Sequence, residues 1–176
     1  MEWRWQGINL TGKRVATAPD FTIYDRIEVT GFDDRENEFT LRLSYRESEA
    51  RYVVQGIQID VADAEEEITG AWLRDLPVLA LSRAALREGG VVEFQAGGVF
   101  MPDVVEAAAQ EIRSGGPSSE EAMLATARVY RYAQIMQQSP AKAVQRTLGL
   151  TAPTATLWIR RARSLGLLGE SVESDG

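Results

Sequence analysis

Between Pro140 and Leu168 the chain reads PAKAVQRTLGLTAPTATLWIRRARSLGLL, with five Lys and Arg residues and neither Asp nor Glu. The cations are Lys142, Arg146, Arg160, Arg161 and Arg163. Ammonium and guanidinium groups at this density, with no neighbouring carboxylates to neutralise them, suit the binding of a polyanion. Elsewhere the chain is acidic. Up to Ser119 it carries 12 basic and 21 acidic residues, a balance of −9 against −7 for all 176 residues. Uniform solubility does not require such segregation. The sequence pI of about 4.8 argues against indiscriminate coating of nucleic acid by the whole surface. A local contact depends only on the cations that reach phosphate, with a salt slope of about −0.9 per phosphate neutralised.

The other groups with chemical potential are carboxylates. Cys and His are both absent, which excludes disulfides, thiolate nucleophiles, the usual Cys/His zinc sites and any triad with an imidazole base. Asp33, Asp34, Glu36 and Glu38 form one acidic cluster, and Asp60, Asp63 and Glu65 to Glu67 a second. Asp60, Asp63 and Glu65 are of the type that holds magnesium in a nuclease. Such a site usually needs a nearby lysine, and Lys13 is the only one before Ser119. Both clusters fall at expected turns, where solvated acids are ordinary. The stretch GGVVEFQAGGVF lacks the lysine and spacing of a phosphate-binding loop, so its glycines read as turns. No catalytic residue, metal site or cofactor is expected, and the chain does not read as an enzyme.

Three helices position the cations. The first, Glu120–Gln138, follows a Ser118/Glu121 capping box and turns Ala125, Val129, Tyr132 and Met136 to one face. The second starts at Pro140 with Ser139 as its N-cap, and Val144 and Leu148 lie four apart on one side. Gly149 follows where a tight turn needs a left-handed backbone. Leu150 tucks beneath the turn and Thr151 caps the next helix. That third helix, Ala152–Ser164, turns Ala155, Trp158, Ile159 and Ala162 inward, and Gly166 ends it. Tyr130 and Tyr132 read as packing residues.

Val144, Leu148, Gly149, Leu150, Ala155 and Trp158, with the trailing WIRRARSLGLL, resemble the tri-helical helix-turn-helix of small actinobacterial transcriptional regulators and mobile-element proteins. The likeness covers the final third of the chain. It implies that the third helix enters the major groove while the second lies across the DNA backbone. Carried onto this chain, Thr151, Ala152, Pro153, Thr156, Leu157 and Arg160 face the groove. Arg160 is suited to a guanine and Thr156 to a base or phosphate; Leu157 or Ala152 could touch a thymine methyl. Lys142, Arg146, Arg161 and Arg163 become phosphate clamps. Two features depart from the pattern. Gln145 stands where an alanine is usual, and Pro153 and Leu157 bring few hydrogen-bond donors to the groove.

Upstream, the pattern has the period of strands. Phe21–Thr30, Asn37–Ser44 and Arg51–Val61 alternate apolar and polar residues, joined by the polar stretches Gly31–Glu36 and Arg46–Ala50, which suits an antiparallel sheet. Helices are expected over Ile68–Leu76, Val78–Arg87 and Asp103–Arg113, with a stop at Gly89-Gly90 and a short strand within Val91–Met101. Trp3, Trp5 and Trp72 read as closing the core of the sheet. The Ser114–Ser119 stretch, rich in Gly, Pro and Ser, is the best boundary.

The expected architecture is therefore α+β: a β-rich domain over residues 1–116, a helix-turn-helix domain over 117–170 and a disordered tail over 171–176. The first domain would serve dimerisation, a protein partner or an effector. With no run of about 18 apolar residues and no signal-peptide core in MEWRWQGINL, the expectation is a cytoplasmic protein that does not meet the membrane. The expected function is binding of double-stranded DNA by a homodimeric, non-enzymatic bacterial regulator. The alternatives are a protein-interaction module docking on an acidic partner and a phage or mobile-element DNA-processing accessory factor.

Overall fold

The structure is a computed structural model and describes residues 4–18, 21–88, 92–94 and 102–168. Within these, the strands are β1 (Arg4–Leu10), β2 (Arg14–Ala18), β3 (Phe21–Tyr24), β4 (Arg26–Phe32), β5 (Glu38–Arg46), β6 (Arg51–Asp60) and β7 (Val92–Phe94). The helices are α1 (Gly70–Asp75), α2 (Val78–Glu88), α3 (Pro102–Ala107), α4 (Ala109–Gly115), α5 (Glu120–Ile135), α6 (Pro140–Thr147) and α7 (Ala152–Ser164). The α+β class expected from the sequence is the observed one. By packing, the chain divides into two compact units. One comprises Met1–Val15, Tyr24–Arg46 and Tyr52–Val91; the other comprises Ala16–Ile23, Glu47–Arg51 and Val92–Gly176.

The first unit is built on a four-stranded sheet in the order β1-β4-β5-β6, with β4 antiparallel to both β1 and β5. Its register explains the alternation. Ile27 stands opposite Leu43 and Val29 opposite Leu41, and all four are buried on one face. Cross-strand apolar pairs of this kind are the stabilising unit of a sheet. Gly31 lies opposite Phe39 in that register. A Cβ there would come within 2.5 Å of the Arg4 carbonyl oxygen and 2.7 Å of the Phe39 ring, so only glycine fits. Trp5 packs edge-on against Phe39, with ring centroids 5.4 Å apart, as expected of a residue closing the sheet. Trp72 is half-buried on α1, and Trp3 lies outside the described residues. In α2, Leu81, Ser82, Ala85 and Leu86 are buried at helical spacing.

The acidic clusters have structural work. Asp33 is buried, and its carboxylate accepts hydrogen bonds from the backbone N–H of Arg35 (2.8 Å) and Asn37 (2.9 Å) and from Asn37 Nδ2 (3.1 Å). Asn37 Oδ1 in turn accepts from the Ala62 N–H, 2.9 Å. These bonds set the β4–β5 turn, in which Glu36 adopts a left-handed backbone (φ 66°). Glu36 pairs with Arg4, Glu66 with Arg35 at 2.9 Å, and Asp63 accepts from the Glu65 N–H at 2.9 Å.

Several boundaries differ from the sequence reading. The strand expected over Phe21–Thr30 is two strands in two sheets, separated at Asp25. The Asp25 carboxylate accepts from the Lys13 N–H at 2.6 Å while its own N–H donates to the Lys13 carbonyl at 2.8 Å, so the backbone bends instead of continuing the ladder. Strands β1 and β2 lack a clean apolar–polar alternation, so no period in the sequence marks them. The expected helix over Asp103–Arg113 breaks at Ala108, which leaves the helical region (φ −90°, ψ 2°) between α3 and α4. Of the expected strand within Val91–Met101, β7 is described; residues 95–101, the Gly89-Gly90 stop and the tail over 171–176 lie outside the described residues.

The second unit contains the antiparallel pairing of β3 with β7, where Phe21, Ile23 and Val92 are fully buried, and the helices α3 to α7. Helix α5 is its hub, in contact with α3, α4, α6 and α7. Burial of Ala122, Met123, Ala125, Thr126, Ala127, Val129, Ala133 and Ile135 wraps most of its circumference, more than the single face expected. Thr126 satisfies its buried hydroxyl by donating to the Ala122 carbonyl, 2.7 Å. Packing is continuous across the Ser114–Ser119 joint, because α4 is in contact with α5 and buries Ala109 and Ile112. The helical unit therefore extends back beyond residue 117, and the joint between residues 116 and 117 is internal to it. The α5 cap is Ser119, whose Oγ accepts from the Ala122 N–H at 3.4 Å, and not Ser118, which lies in a 3-10 turn.

Candidate nucleic-acid interface

The turn between α6 and α7 closes with the hydrogen bonds of a Schellman motif. The Leu150 N–H donates to the Gln145 carbonyl (2.9 Å) and the Gly149 N–H to the Arg146 carbonyl (3.2 Å). That motif requires a left-handed residue after the helix, and Gly149 supplies it with φ 59°. Leu150 is buried beneath the turn. Thr151 then caps α7, its Oγ accepting from the Thr154 N–H at 3.4 Å and sharing a 2.8 Å hydrogen bond with the Thr154 hydroxyl. Ser139 stands at the N-cap of α6, but its side chain makes no capping bond; Pro140 opens the helix. At the far end of α7, Gly166 is left-handed (φ 73°), and the Leu167 N–H donates to the Ala162 carbonyl at 3.0 Å.

This backbone sorts the α7 side chains into two sets. Ala155, Trp158, Ile159 and Ala162 are buried, and α7 packs on both α5 and α6. Thr151, Ala152, Pro153, Thr156, Leu157 and Arg160 are all exposed. Lys142 and Arg146 on α6 and Arg161 and Arg163 on α7 are exposed as well. None of the described ion pairs involves Lys142, Arg146, Arg160 or Arg161. Arg163 differs, because its Nη2 donates to the Tyr130 hydroxyl at 3.4 Å, which ties it to α5. Tyr132 on α5 is half-buried, and its phenol pKa is raised by that burial and by the Asp103 carboxylate.

One residue of this region escapes a sequence reading. Arg113, in the last turn of α4, donates from Nη1 to the Leu148 carbonyl at 2.8 Å. It thereby satisfies a C-terminal carbonyl of α6, where the helix dipole favours a cation. A Cβ on Gly149 would lie 2.5 Å from the same Nη1. Glycine thus suits the turn by its left-handed backbone, and a larger residue would also displace this guanidinium from its place against the turn. The partners are 35 residues apart, so no local spacing announces the contact.

Among the described residues, no three His, Cys, Asp or Glu side chains come together to hold a metal ion. No described helix is long and apolar enough to cross a membrane. No protein-family model, curated protein or solved structure matches this chain.

Proposed function

We propose that the protein is a non-enzymatic double-stranded DNA-binding protein, a cytoplasmic transcriptional regulator that reads the major groove with α7. The observation that supports this reading is the division of α7. Its apolar side chains are spent on α5 and α6, while its outer face and the unpaired Lys142, Arg146 and Arg161 are left to solvent. An α-helix fits the width of the major groove. Cations on both flanks would hold it there by displacing counterions from phosphate. Lys142 and Arg146 on α6 and Arg161 on α7 would set orientation, and the planar fork of Arg160 can engage O6 and N7 of one guanine together. One three-helix unit makes few base contacts, so useful affinity calls for a homodimer that engages two half-sites. The first unit would supply that dimer contact or a contact with a protein partner.

The test is fluorescence-anisotropy binding to random duplex DNA across a salt series, for the wild type and Arg160→Ala/Arg161→Ala. Binding that weakens steeply with salt and with the substitutions is the expected result. If neither protein binds at low salt, the reading fails and an acidic protein partner becomes the object of search.

A further inference from the structure

On the exposed face of α7, hydrogen-bond donors are scarce. Ala152 and Pro153 have none in their side chains. Thr156 has one hydroxyl proton, and it is committed inside the helix, to the Ala152 carbonyl at 3.0 Å. Leu157, at 52 % exposure, is one of the most exposed large apolar residues of the second unit. Of the groove-facing set beyond the Thr151 cap, Arg160 alone keeps free donors. At about 100° per residue, positions 152, 156, 153 and 157 fall in that order within about 140° of the helix circumference, and all four are exposed. They form a continuous strip of low polarity, about 8 Å long at 1.5 Å per residue. Arg160 and Arg161 follow it in the next turn of α7, and α6, which packs on α7, exposes Lys142 and Arg146.

The geometry points to a specific ligand chemistry: we infer that this strip reads the 5-methyl groups of thymine in A·T-rich duplex DNA. The inference rests on the DNA-binding reading and deepens it. Guanine offers two acceptors in the major groove and needs donors opposite them; the thymine methyl is the one apolar feature any base presents there. Leu157 and Ala152 match it in polarity. The Thr156 oxygen, its proton spent, is still an acceptor for the exocyclic amino group of the paired adenine. The exposed cations Lys142 and Arg146 of α6 and Arg161 of α7 complement the phosphates. A strip of this kind on a neutral surface would be an ordinary apolar patch. Set among unpaired cations, it fits an apolar group carried by a polyanion.

The experiment compares the full chain on two A·T-rich duplexes of identical sequence, one with thymine and one with deoxyuridine throughout. They differ only in the 5-methyl groups; phosphates and base-pairing edges are shared. The thymine duplex should bind more tightly, by about fourfold for each methyl contacted. Leu157→Ala, at an exposed position the fold does not use, should bring that ratio toward one. Arg160→Ala should weaken both duplexes and leave the ratio in place. Equal, salt-sensitive binding of both duplexes by the wild type would overturn the inference while DNA binding stands. A ratio unchanged in Leu157→Ala would also overturn it, by placing methyl recognition elsewhere. Failure to bind either duplex at low salt would remove the DNA-binding reading, and this inference with it.

Discussion

Tyr52 shows how much a single side chain can hold that composition does not announce. It sits within the β-branched run of β6, yet it is fully buried, its hydroxyl donates to the Tyr24 carbonyl, and Tyr45 packs edge-on against its ring. Burial, with Tyr45 and the Asp25 carboxylate adding to it, holds the phenol pKa well above its ordinary value. A neutral phenol is therefore favoured in the folded state. The unfolded chain loses this proton near pH 10 and the folded one only at higher pH, so the folded state binds more protons in between. The stabilisation is complete below about pH 10 and declines as the pH rises past it. Urea denaturation from pH 8 to 11 should show wild-type stability falling along that limb. Tyr52→Phe should start about 1 kcal/mol lower, for the lost hydrogen bond, and fall less steeply. Parallel alkaline limbs would show that the Tyr52 phenol is not the group responsible.

At the scale of elements, the sequence was informative where a period repeated and silent where the chain broke it. The alternation of Phe39, Leu41 and Leu43 gives β5, and the four-residue spacing of Val144 and Leu148 gives α6. The interruptions at Asp25 and Ala108 rest on backbone geometry at residues that are not Gly or Pro, which leaves no punctuation to read. The end of α5 is a third case. The helix was expected to reach Gln138 but stops at Ile135, because Gln137 takes the left-handed position (φ 54°) that glycine usually fills. Where the turn residue is glycine, at Gly149 and Gly166, the sequence marks the turn, and Leu150 is buried and Thr151 caps α7 as expected. The brace from α4 was invisible because it depends on tertiary contact. It also makes a prediction about the turn as a unit. Gly149→Ala must pay for a left-handed alanine, about 1–2 kcal/mol, and for a Cβ 2.5 Å from Arg113 Nη1. Arg113→Met should relieve the second cost alone, at the expense of the Leu148 carbonyl bond. Thermal denaturation of both single variants and the pair should give a double-variant loss smaller than the sum of the single losses. Strict additivity would show that Arg113 does not press on the turn.

For the whole molecule, the informative quantity is where charge is placed. A net charge of −7 disfavours loose association with DNA at any point on the surface, so the proposed binding would have to be carried by a small number of groups. On α6 and α7, Lys142, Arg146, Arg160 and Arg161 have no described side-chain partner, while Arg163 keeps its charge but is held by a hydrogen bond to Tyr130. Their presence was legible in the sequence; that Arg163 stands apart from them was not, because Tyr130 lies on another helix. If one of the four reads a base and three neutralise phosphates, the slope of log affinity against log salt should be about −3 per protomer. A dimer with both units engaged neutralises six phosphates, for a slope of about −5 at about −0.9 each. Arg146→Ala should make the slope shallower by about 1 per protomer without altering preference among sequences, because a phosphate contact positions and does not specify. Sedimentation of the free protein supplies the protomer count against which the slope is read. A dimer with a slope near −5 places both helical units on one duplex. A dimer with a slope near −3 means that one unit binds while the other stays free, which removes the two-half-site geometry from the proposal. A monomer at working concentration counts against a regulator altogether, since one strip of low polarity and one guanidinium are too few contacts to select a site.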